Sequence, residues 1–329
     1  MPAMTGAIVV RETGGPEVLE WTEIELGKLG PGDVLLRHKA VGLNFIDVYQ
    51  RTGLYPVELP FTPGMEGAGV VEEVGAEVTD LQAGDRVAYT GNGPAGAYAE
   101  ARVLPASRLV PLPDVVDDST AAGVMLKGCT VEYLIHRTFP VKAGHWVLLH
   151  AAAGGVGLIA CQWLRAVGAN VIGTVGSETK AELAKRHGCT HVVLYREEDV
   201  AARVRELTDG RGVDVVYDSV GKDTFEASLD SLCPRGMLVS FGNASGPVEP
   251  FSPLLLAQKG GLFVTRPALR HYYTDRKESR AGCKAVLDAV VDGTITVPVH
   301  QTYPLRDVQE AHRELEARNT TGSTVFVID

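Results

Sequence analysis

The sequence predicts an α/β protein: a β-rich part built from the two ends of the chain, and a doubly wound parallel sheet between them. Three observations predict it. Short apolar runs separated by Gly, Pro and Asp fill the first third. From Trp146 the rhythm changes to strand, helix, strand, helix. The turn after the first of those strands is a run of small residues, Ala151 to Gly157. The length, 329 residues, fits about two domains at roughly 150 residues each.

In residues 1–126 the apolar runs are Ala7–Val10, Val34–Arg37, Gly69–Val74 and Arg86–Tyr89. Gly14-Gly15-Pro16, Pro31-Gly32-Asp33 and Ala83-Gly84-Asp85 lie between them, the pattern of short strands joined by turns. Pro105, Pro111 and Pro113 mark an extended stretch, and a helix is expected from Ser119, with Asp117 and Asp118 where its dipole favours acids. Strands are then expected at Trp146–His150, Asn170–Val175, His191–Leu194, Val213–Asp218, Met237–Phe241 and Leu262–Thr265. Helices are expected at Val156–Val167, Lys180–His187, Asp199–Thr208 and Thr224–Ser231. Such alternation implies a parallel sheet with helices on both faces. Beyond residue 267, helical segments near Ser279–Val291 and Leu305–Ala317 precede a last strand, Ser323–Ile328, that would return to the first sheet. The expected domains are therefore 1–126 with 267–329, and 127–266.

Composition narrows the function classes. Charged residues are 22% and hydrophobic residues 45%, too apolar for a disordered chain. Thirty-one Lys and Arg against 41 Asp and Glu give a net charge of −10, which disfavours binding to nucleic acid or an anionic membrane on electrostatic grounds. The apolar run Ala151–Cys161 is far short of the about 20 residues a membrane span needs. No basic stretch precedes the N-terminal apolar run, which Arg11 ends, so no signal peptide is expected. The five cysteines, Cys129, Cys161, Cys189, Cys233 and Cys283, are widely spaced and include no C-x-x-C pair. They suit reduced thiols in a cytoplasmic protein rather than a disulfide framework.

The small-residue turn carries the chemistry. Ala151-Ala152-Ala153-Gly154-Gly155-Val156-Gly157 fits G-x-G-x-x-G with Ala152 in the first Gly place. A dinucleotide needs such residues for a tight turn, for approach of backbone to pyrophosphate, and for packing of helix on strand. The helix N-terminus then offers N–H groups to the anion. An NAD site usually carries Asp or Glu at the end of the next strand, about 20 residues on. Here Val175 and Gly176 stand there, followed by Ser177 and Lys180, with Tyr195 and Arg196 ending the third strand. Hydroxyl and cationic groups suit a 2′-phosphate, so NADPH is the expected cofactor, with Glu178 turned to solvent.

Further motifs carry a family resemblance. Gly64-Met65-Glu66-Gly67-Ala68-Gly69 through Gly75 resembles the zinc alcohol dehydrogenase signature G-H-E-x-x-G-x5-G of the medium-chain dehydrogenase/reductase superfamily. Asn44-Phe45-Ile46-Asp47-Val48-Tyr49, Gly53-Leu54-Tyr55-Pro56, Tyr195 to Asp199, Tyr217 to Gly221 and Phe241-Gly242-Asn243 resemble the zinc-free, zeta-crystallin-like NADPH:quinone oxidoreductases over essentially the whole chain. The resemblance implies a GroES-like β-rich catalytic domain beside a Rossmann NADPH-binding domain. It implies Asn44, Tyr49 and Tyr55 as hydrogen-bond donors or stacking partners for a planar acceptor. It adds Thr130, Tyr133, Ser219, Phe241, Asn243, Thr265, Arg266 and Arg318 as cofactor contacts. Asp47 either orients its neighbours or meets the cofactor. Ser323 stands where relatives often carry Lys.

Where the zinc enzymes place ligands, this chain has Asn44, Met65 and, near the third position, Leu126. Zinc needs three or four N, S or O ligands, and the nine His residues show no ligand spacing, so no metal is expected. Without a Lewis acid the plausible chemistry is reduction of a good acceptor, a quinone or activated enone, with hydrogen bonds to the developing oxyanion. Two alternatives are a zinc-free enoyl-thioester reductase and a non-enzymatic NADPH-binding structural or RNA-binding protein. The sixth strand of the parallel sheet, Gly261–Thr265, is apolar and lacks Lys or Pro, and an uncovered edge of that kind invites a homodimer.

Overall fold

A computed structural model describes residues 3–91 and 93–328. In chain order the elements are β1 (Met4–Val9), β2 (Glu20–Glu25), β3 (Asp33–Leu43), α1 (Phe45–Arg51), β4 (Gly67–Val74), β5 (Arg86–Tyr89), β6 (Ala101–Pro105), β7 (Val110–Pro111) and α2 (Asp118–Tyr133). The alternating region follows: β8 (Trp146–Leu149), α3 (Gly155–Val167), β9 (Asn170–Val175), α4 (Glu178–Arg186), β10 (His191–Leu194), α5 (Val200–Leu207), β11 (Val213–Asp218), α6 (Phe225–Ser231), β12 (Leu232–Ser240), α7 (Leu254–Gln258) and β13 (Phe263–Thr265). The last elements are α8 (Arg276–Val291), β14 (Val299–Pro304), α9 (Val308–Glu316) and β15 (Ser323–Val327). The chain divides into two compact units, Met1–Cys129 with Tyr272–Gly293 and Val297–Asp329, and Thr130–His271 with Thr294–Thr296.

The first unit is β-rich. A seven-stranded sheet runs β14-β15-β3-β4-β5-β7, with β6 also on β3, and β1 and β2 form an antiparallel ribbon. β3 shows why it pairs so widely. Val34, Leu36, His38 and Ala40 point inward and are buried, while Arg37 and Lys39 are exposed, the period-two alternation of a strand with one buried face. His38 is tolerated inside because both ring nitrogens have partners, Ala99 O at 2.6 Å and Tyr89 Oη at 2.9 Å. Burial holds its pKa down at about 3, so the ring is neutral. The expected last strand does return to this sheet: β15 lies antiparallel to β3, with Phe326 opposite Val41. Ile8, Leu36, Val41, Tyr98, Leu104 and Phe326 belong to the unit's core.

The second unit is the doubly wound sheet, in the order β10-β9-β8-β11-β12-β13, with every pair parallel. This is the expected 3-2-1-4-5-6 order. Local chemistry sets its helices. α3 ends at Gly168, whose φ of 86° is the left-handed cap only Gly adopts without strain. Asp199 caps α5 by accepting the Ala202 N–H at 2.9 Å. Two boundaries differ from the sequence expectation. β12 begins at Leu232 rather than Met237, with a register shift between Val213 and Val215 in its neighbour β11. β13 begins at Phe263, because Gly260 and Gly261 turn the chain at φ of 114° and 67°. Leu148, Ile172, Val193, Val216 and Leu238 supply the core, one from each of the first five strands in the sheet's path. Among the described residues no helix is long and apolar enough to cross a membrane.

Candidate functional site

The parallel sheet presents its carboxyl ends at one edge, and the small-residue turn lies there. Gly154 is the N-cap of α3, and Gly155, Val156 and Gly157 form its first turn. A Cβ on Gly157 would stand 2.4 Å from the Ala151 carbonyl oxygen and 2.7 Å from the Ala152 carbonyl carbon, so the helix starts against the backbone of the strand end. Ala151 takes a left-handed φ of 54° to make the turn. Ala152 fills the first small place and is wholly buried, and Gly173 of β9 makes room for it: a Cβ there would lie 2.6 Å from the Ala152 methyl. Ala153 is buried beside it. The first turn carries no acidic side chain, and its N–H groups lack acceptors within the helix, which is what an anion requires. These residues fit a pyrophosphate.

At the end of β9, Gly176 leads to Ser177, the N-cap of α4, whose Oγ accepts the Lys180 N–H at 3.4 Å. A Cβ on Gly176 would stand 2.8 Å from the Tyr195 hydroxyl and 3.4 Å from Arg196 Nε. Tyr195 and Arg196 thus close on Gly176, Ser177 follows it, and Lys180 lies in the first turn of α4, with Glu178 exposed. The donors fit a 2′-phosphate, and no carboxylate holds the strand-end place.

The loop after β11 is fixed from within. Asp218 Oδ1 accepts the N–H groups of Val220 at 2.8 Å and Gly221 at 3.0 Å. Its Oδ2 accepts the hydroxyls of Thr224 at 2.7 Å and Ser228 at 2.8 Å. His150, neutral through burial, lies 3.0 Å from both Ser228 Oγ and Thr174 Oγ1. This His, Ser and Asp are buried and serve as a brace for Ser219, not as a nucleophile. A Cβ on Gly242 would meet the Ser219 carbonyl oxygen at 2.3 Å, so Phe241, Gly242 and Asn243 ride close against it. Arg266 Nη1 donates to Ser240 O at 2.9 Å just beyond Thr265. Ser219, Phe241, Asn243, Thr265 and Arg266 therefore sit at the same sheet edge as the Gly turn, where an open α/β sheet binds its ligand. Of the two residues expected from α2, Thr130 is half-buried and Tyr133 is buried. Arg318 is exposed, at a left-handed φ of 63° just past α9.

In the β-rich unit a polar knot surrounds Asn44. Asn44 caps α1, and its backbone N–H donates to Asp47 Oδ2 at 2.9 Å. Its Nδ2 donates to Glu66 Oε1 at 2.8 Å. Glu66 is wholly buried and also accepts from Lys127 Nζ and the Leu126 N–H, both at 2.6 Å. A buried ion pair holds only when its remaining lone pairs are satisfied, as they are here. Gly42 is required beside it, since a Cβ there would stand 2.2 Å from Glu66 Oε1. Tyr49 and Tyr55 meet edge-on with centroids 5.1 Å apart, and Phe45 lies 6.0 Å from Tyr49. Tyr49 is buried and Tyr55 half-buried, so of the two it is Tyr55 that has surface left for another molecule.

Asp47 is held inside the knot. It is 0% exposed, and Oδ2 accepts the Tyr98 hydroxyl at 2.9 Å as well as the Asn44 N–H, which is the orienting half of what was expected of it. Burial, the largest effect, raises its pKa to about 7. Tyr98 continues to His312 Nε2 at 3.4 Å, and His312 Nδ1 lies 3.2 Å from Arg51 Nη1, which pairs with Glu316 at 2.8 Å. Burial holds His312 at about 3, hence neutral. Arg51 can only donate, so Nδ1 accepts and the ring proton is on Nε2. Ser323 needs a similar statement: it is buried, and its hydroxyl donates to Gly123 O at 2.8 Å. The ligand positions of the zinc enzymes are taken differently too. Met65 and Leu126 both face Gly91, where a Cβ would meet Leu126 Cδ1 at 2.9 Å and Met65 Cε at 3.4 Å, and the Asn44 amide is engaged by Glu66.

Sequence reasoning singled out none of Lys127, Tyr98, His312 or Arg51. Glu66 stood inside a motif already noted, and its acid, retained without the His before it, was the one available signal. The others lie up to 265 residues from their partners and leave no trace in spacing.

Comparison with known proteins places these features in context. Residues 30–114 match the alcohol dehydrogenase GroES-like domain, and residues 155–272 match the zinc-binding dehydrogenase family. The ligand positions 44, 65 and 126 lie outside that second stretch. The chain is 52% identical to a quinone oxidoreductase of Pseudomonas aeruginosa, covering 95% of this chain and 97% of that one. It is 48% identical to a 2-haloacrylate reductase of a Burkholderia species, over 98% of this chain and 99% of that one. The crystal structure of Escherichia coli quinone oxidoreductase complexed with NADPH superposes with a TM-score of 0.96 at 45% identity, over 99% of this chain and 100% of that one.

Proposed function

The chain belongs to the zinc-free, zeta-crystallin-like quinone oxidoreductases of the medium-chain dehydrogenase/reductase superfamily, and on that footing we propose that it reduces quinones or activated enones with NADPH. The observation that carries the reading is the start of α3, where Gly157 touches strand backbone and the N–H groups of the first turn face an acid-free edge. In this reading the middle of the chain is the cofactor domain and the two ends form the substrate domain.

The pyrophosphate lies on Ala153, Gly154, Gly155, Val156 and Gly157, and the 2′-phosphate on Gly176, Ser177, Lys180 and Tyr195. Ser219, Phe241, Asn243, Thr265 and Arg266 line the remaining strand ends, with Thr130, Tyr133 and Arg318 as further contacts. When bound, NADPH supplies the hydride. Asn44, Tyr49 and Tyr55 receive the acceptor: the half-buried Tyr55 packs on its ring, Tyr49 supports Tyr55 edge-on, and donors face its carbonyl oxygen as charge develops. Glu66, Lys127 and Asp47 hold Asn44 in place for that donation, which limits the reorganisation needed during reaction. A panel of benzoquinones, enones and enoyl thioesters with NADPH tests the reading. Quinone turnover without thioester turnover is expected, and turnover of thioesters alone overturns it.

Metal independence follows from the donor set, one thioether and one engaged amide at the ligand positions. Exhaustive chelation is expected to leave quinone reduction unchanged, with elemental analysis finding well under one zinc per chain. Stoichiometric zinc in purified protein contradicts this. The buried thiols at all five cysteines suit a reducing compartment, and we place the protein in the cytoplasm.

We also propose a homodimer through β13. The strand ends the sheet, and Phe263 on it and Leu254 on α7 are 57% and 62% exposed. A twofold axis along this edge would join two sheets into one. Light scattering at micromolar concentration is expected to give about twice the 35.1 kDa chain mass. Val264→Lys should shift the mass toward the monomer while NADPH affinity holds. A monomer in the unaltered protein refutes the proposal.

A further inference from the structure

A second polar pocket lies wholly in the β-rich unit, and none of the residues given roles above line it. Its volume is about 210 Å³, and Thr90, Ser107, Arg108, Arg276, Arg280 and Cys283 are among its walls. That is room for a few waters or one small ion, and below the size of a drug-sized ligand site.

Its walls hold an unusual concentration of unused hydrogen-bonding capacity. Among the described residues, six buried side-chain N or O atoms have no hydrogen-bond partner, and four are on residues that line this pocket: Thr90 Oγ1, Arg108 Nε, Arg108 Nη2 and Arg280 Nε. Buried polar groups are normally satisfied, so such a cluster calls for a ligand. All four atoms can donate. The three nitrogens cannot accept at all.

The charges point the same way. Arg276 and Arg280 both pair with Asp80, and Asp275 is engaged as the N-cap of α8, accepting the Glu278 N–H at 2.8 Å. Arg108 has no carboxylate. Burial and the neighbouring Arg102 lower its pKa to about 10, and its guanidinium carbon lies 5.8 Å from the centre of the Tyr89 ring. Gly93 closes over this guanidinium: at its φ of 152° a Cβ would stand 2.5 Å from Arg108 Cζ. Among the described residues no acid pairs with Arg108, and a half-buried cation without one is costly until an anion arrives.

We propose that this pocket binds a small phosphate, free or as the head of a larger molecule, with Arg108 as its main ligand and Thr90 and Arg280 beside it. The three groups come from β5's end, the turn before β7, and α8, so the ion would tie three separate segments of the unit together. Donor-only guanidinium groups suit an anion rich in acceptor oxygens better than a neutral ligand.

Calorimetric titration of the full chain with inorganic phosphate, without NADPH or quinone, tests this at constant ionic strength set with chloride. Saturable binding is expected, weakened about tenfold or more in Arg108→Met, as loss of a charge-assisted contact predicts. Thr90→Val, which keeps the side-chain shape, should weaken it less, and it serves in place of Arg108→Met should that variant fail to fold. Glycerol 3-phosphate titrated alongside distinguishes the sources: tighter binding than inorganic phosphate identifies a phosphorylated molecule, and equal or weaker binding the free ion. No saturable heat with either ligand, or equal affinity in the unaltered protein and both variants, overturns the proposal. Because no cofactor or acceptor is present, the result stands apart from the reductase reading.

Discussion

Gly157→Ala is expected to remove NADPH binding almost completely. The added methyl would stand 2.4 Å from the Ala151 oxygen and 2.7 Å from two atoms of the Ala152 carbonyl. All three are backbone, so no side chain can swing aside. Relief requires α3 to move off the strand end, and overpacking of this kind costs about 1–3 kcal/mol in stability. The larger loss falls on binding, because the N–H groups that face pyrophosphate move with the helix. A rise in the NADPH dissociation constant of roughly a hundredfold, about 2.7 kcal/mol, is expected from fluorescence titration. Gly154→Ala supplies the graded comparison. A Cβ there lies 3.3 Å from Ala151 O, at an ordinary φ of −80°, so a small adjustment suffices. Its effect should be clearly weaker. Near-normal affinity in Gly157→Ala, with the thermal midpoint unchanged, would show that the turn does not hold the cofactor.

The parallel half of the molecule was legible because each of its elements is announced locally. Asn170–Val175, His191–Leu194 and Val213–Asp218 are short apolar runs closed by Gly, Tyr or Asp, and the strands have those bounds. α3 stops at the Gly168 that the pattern marked. The β-rich half was less legible for physical reasons. β3 was visible only as Val34–Arg37, since His38 and Lys39 break an apolar run, yet His38 is an inward residue made acceptable by Ala99 and Tyr89. α1 escaped notice because seven residues, Phe45–Arg51, are too few to display a helical period. Its Asn44 and Asp47, three apart, were the available sign. β14 is parallel to β15, and its burial alternates only between half-buried and exposed, so no apolar run marks it.

The site divides in the same way. Gly154, Gly157 and Gly176, each with a close approach that a Cβ would disturb, are positions that spacing marks. Residues held by distant partners are not marked by spacing. Glu66 and Lys127 are 61 positions apart, and each alone reads as a surface charge, but together they form a buried pair that fixes Asn44. Arg108 is the sharper case. In the sequence it is one of 31 basic residues, and only the fold shows that it lacks the acid that Arg276 and Arg280 share.

Lys180→Ala should separate the two nicotinamide cofactors. The end of β9 carries Val175 and Gly176 where a carboxylate would hold the ribose hydroxyls of NADH. Tyr195 and Arg196 stand against Gly176 instead, with the Tyr195 hydroxyl 2.8 Å from where its Cβ would be, and Ser177 and Lys180 follow at the start of α4. Only NADPH has a 2′-phosphate for them. A charge-assisted contact to phosphate contributes about 1–3 kcal/mol, or roughly tenfold to a hundredfold in the dissociation constant. Lys180 is half-exposed, so salt screens part of that, and a loss near tenfold is expected at physiological ionic strength, growing as salt is lowered. The NADH constant should stay within about twofold, since an exposed residue elsewhere on the helix contributes little to a cofactor that lacks the phosphate. Paired titrations at two salt concentrations measure both effects. An equal loss for NADPH and NADH would mean that the substitution disturbs α4 as a whole. An unchanged NADPH constant would assign the phosphate to Arg196 and Tyr195 alone.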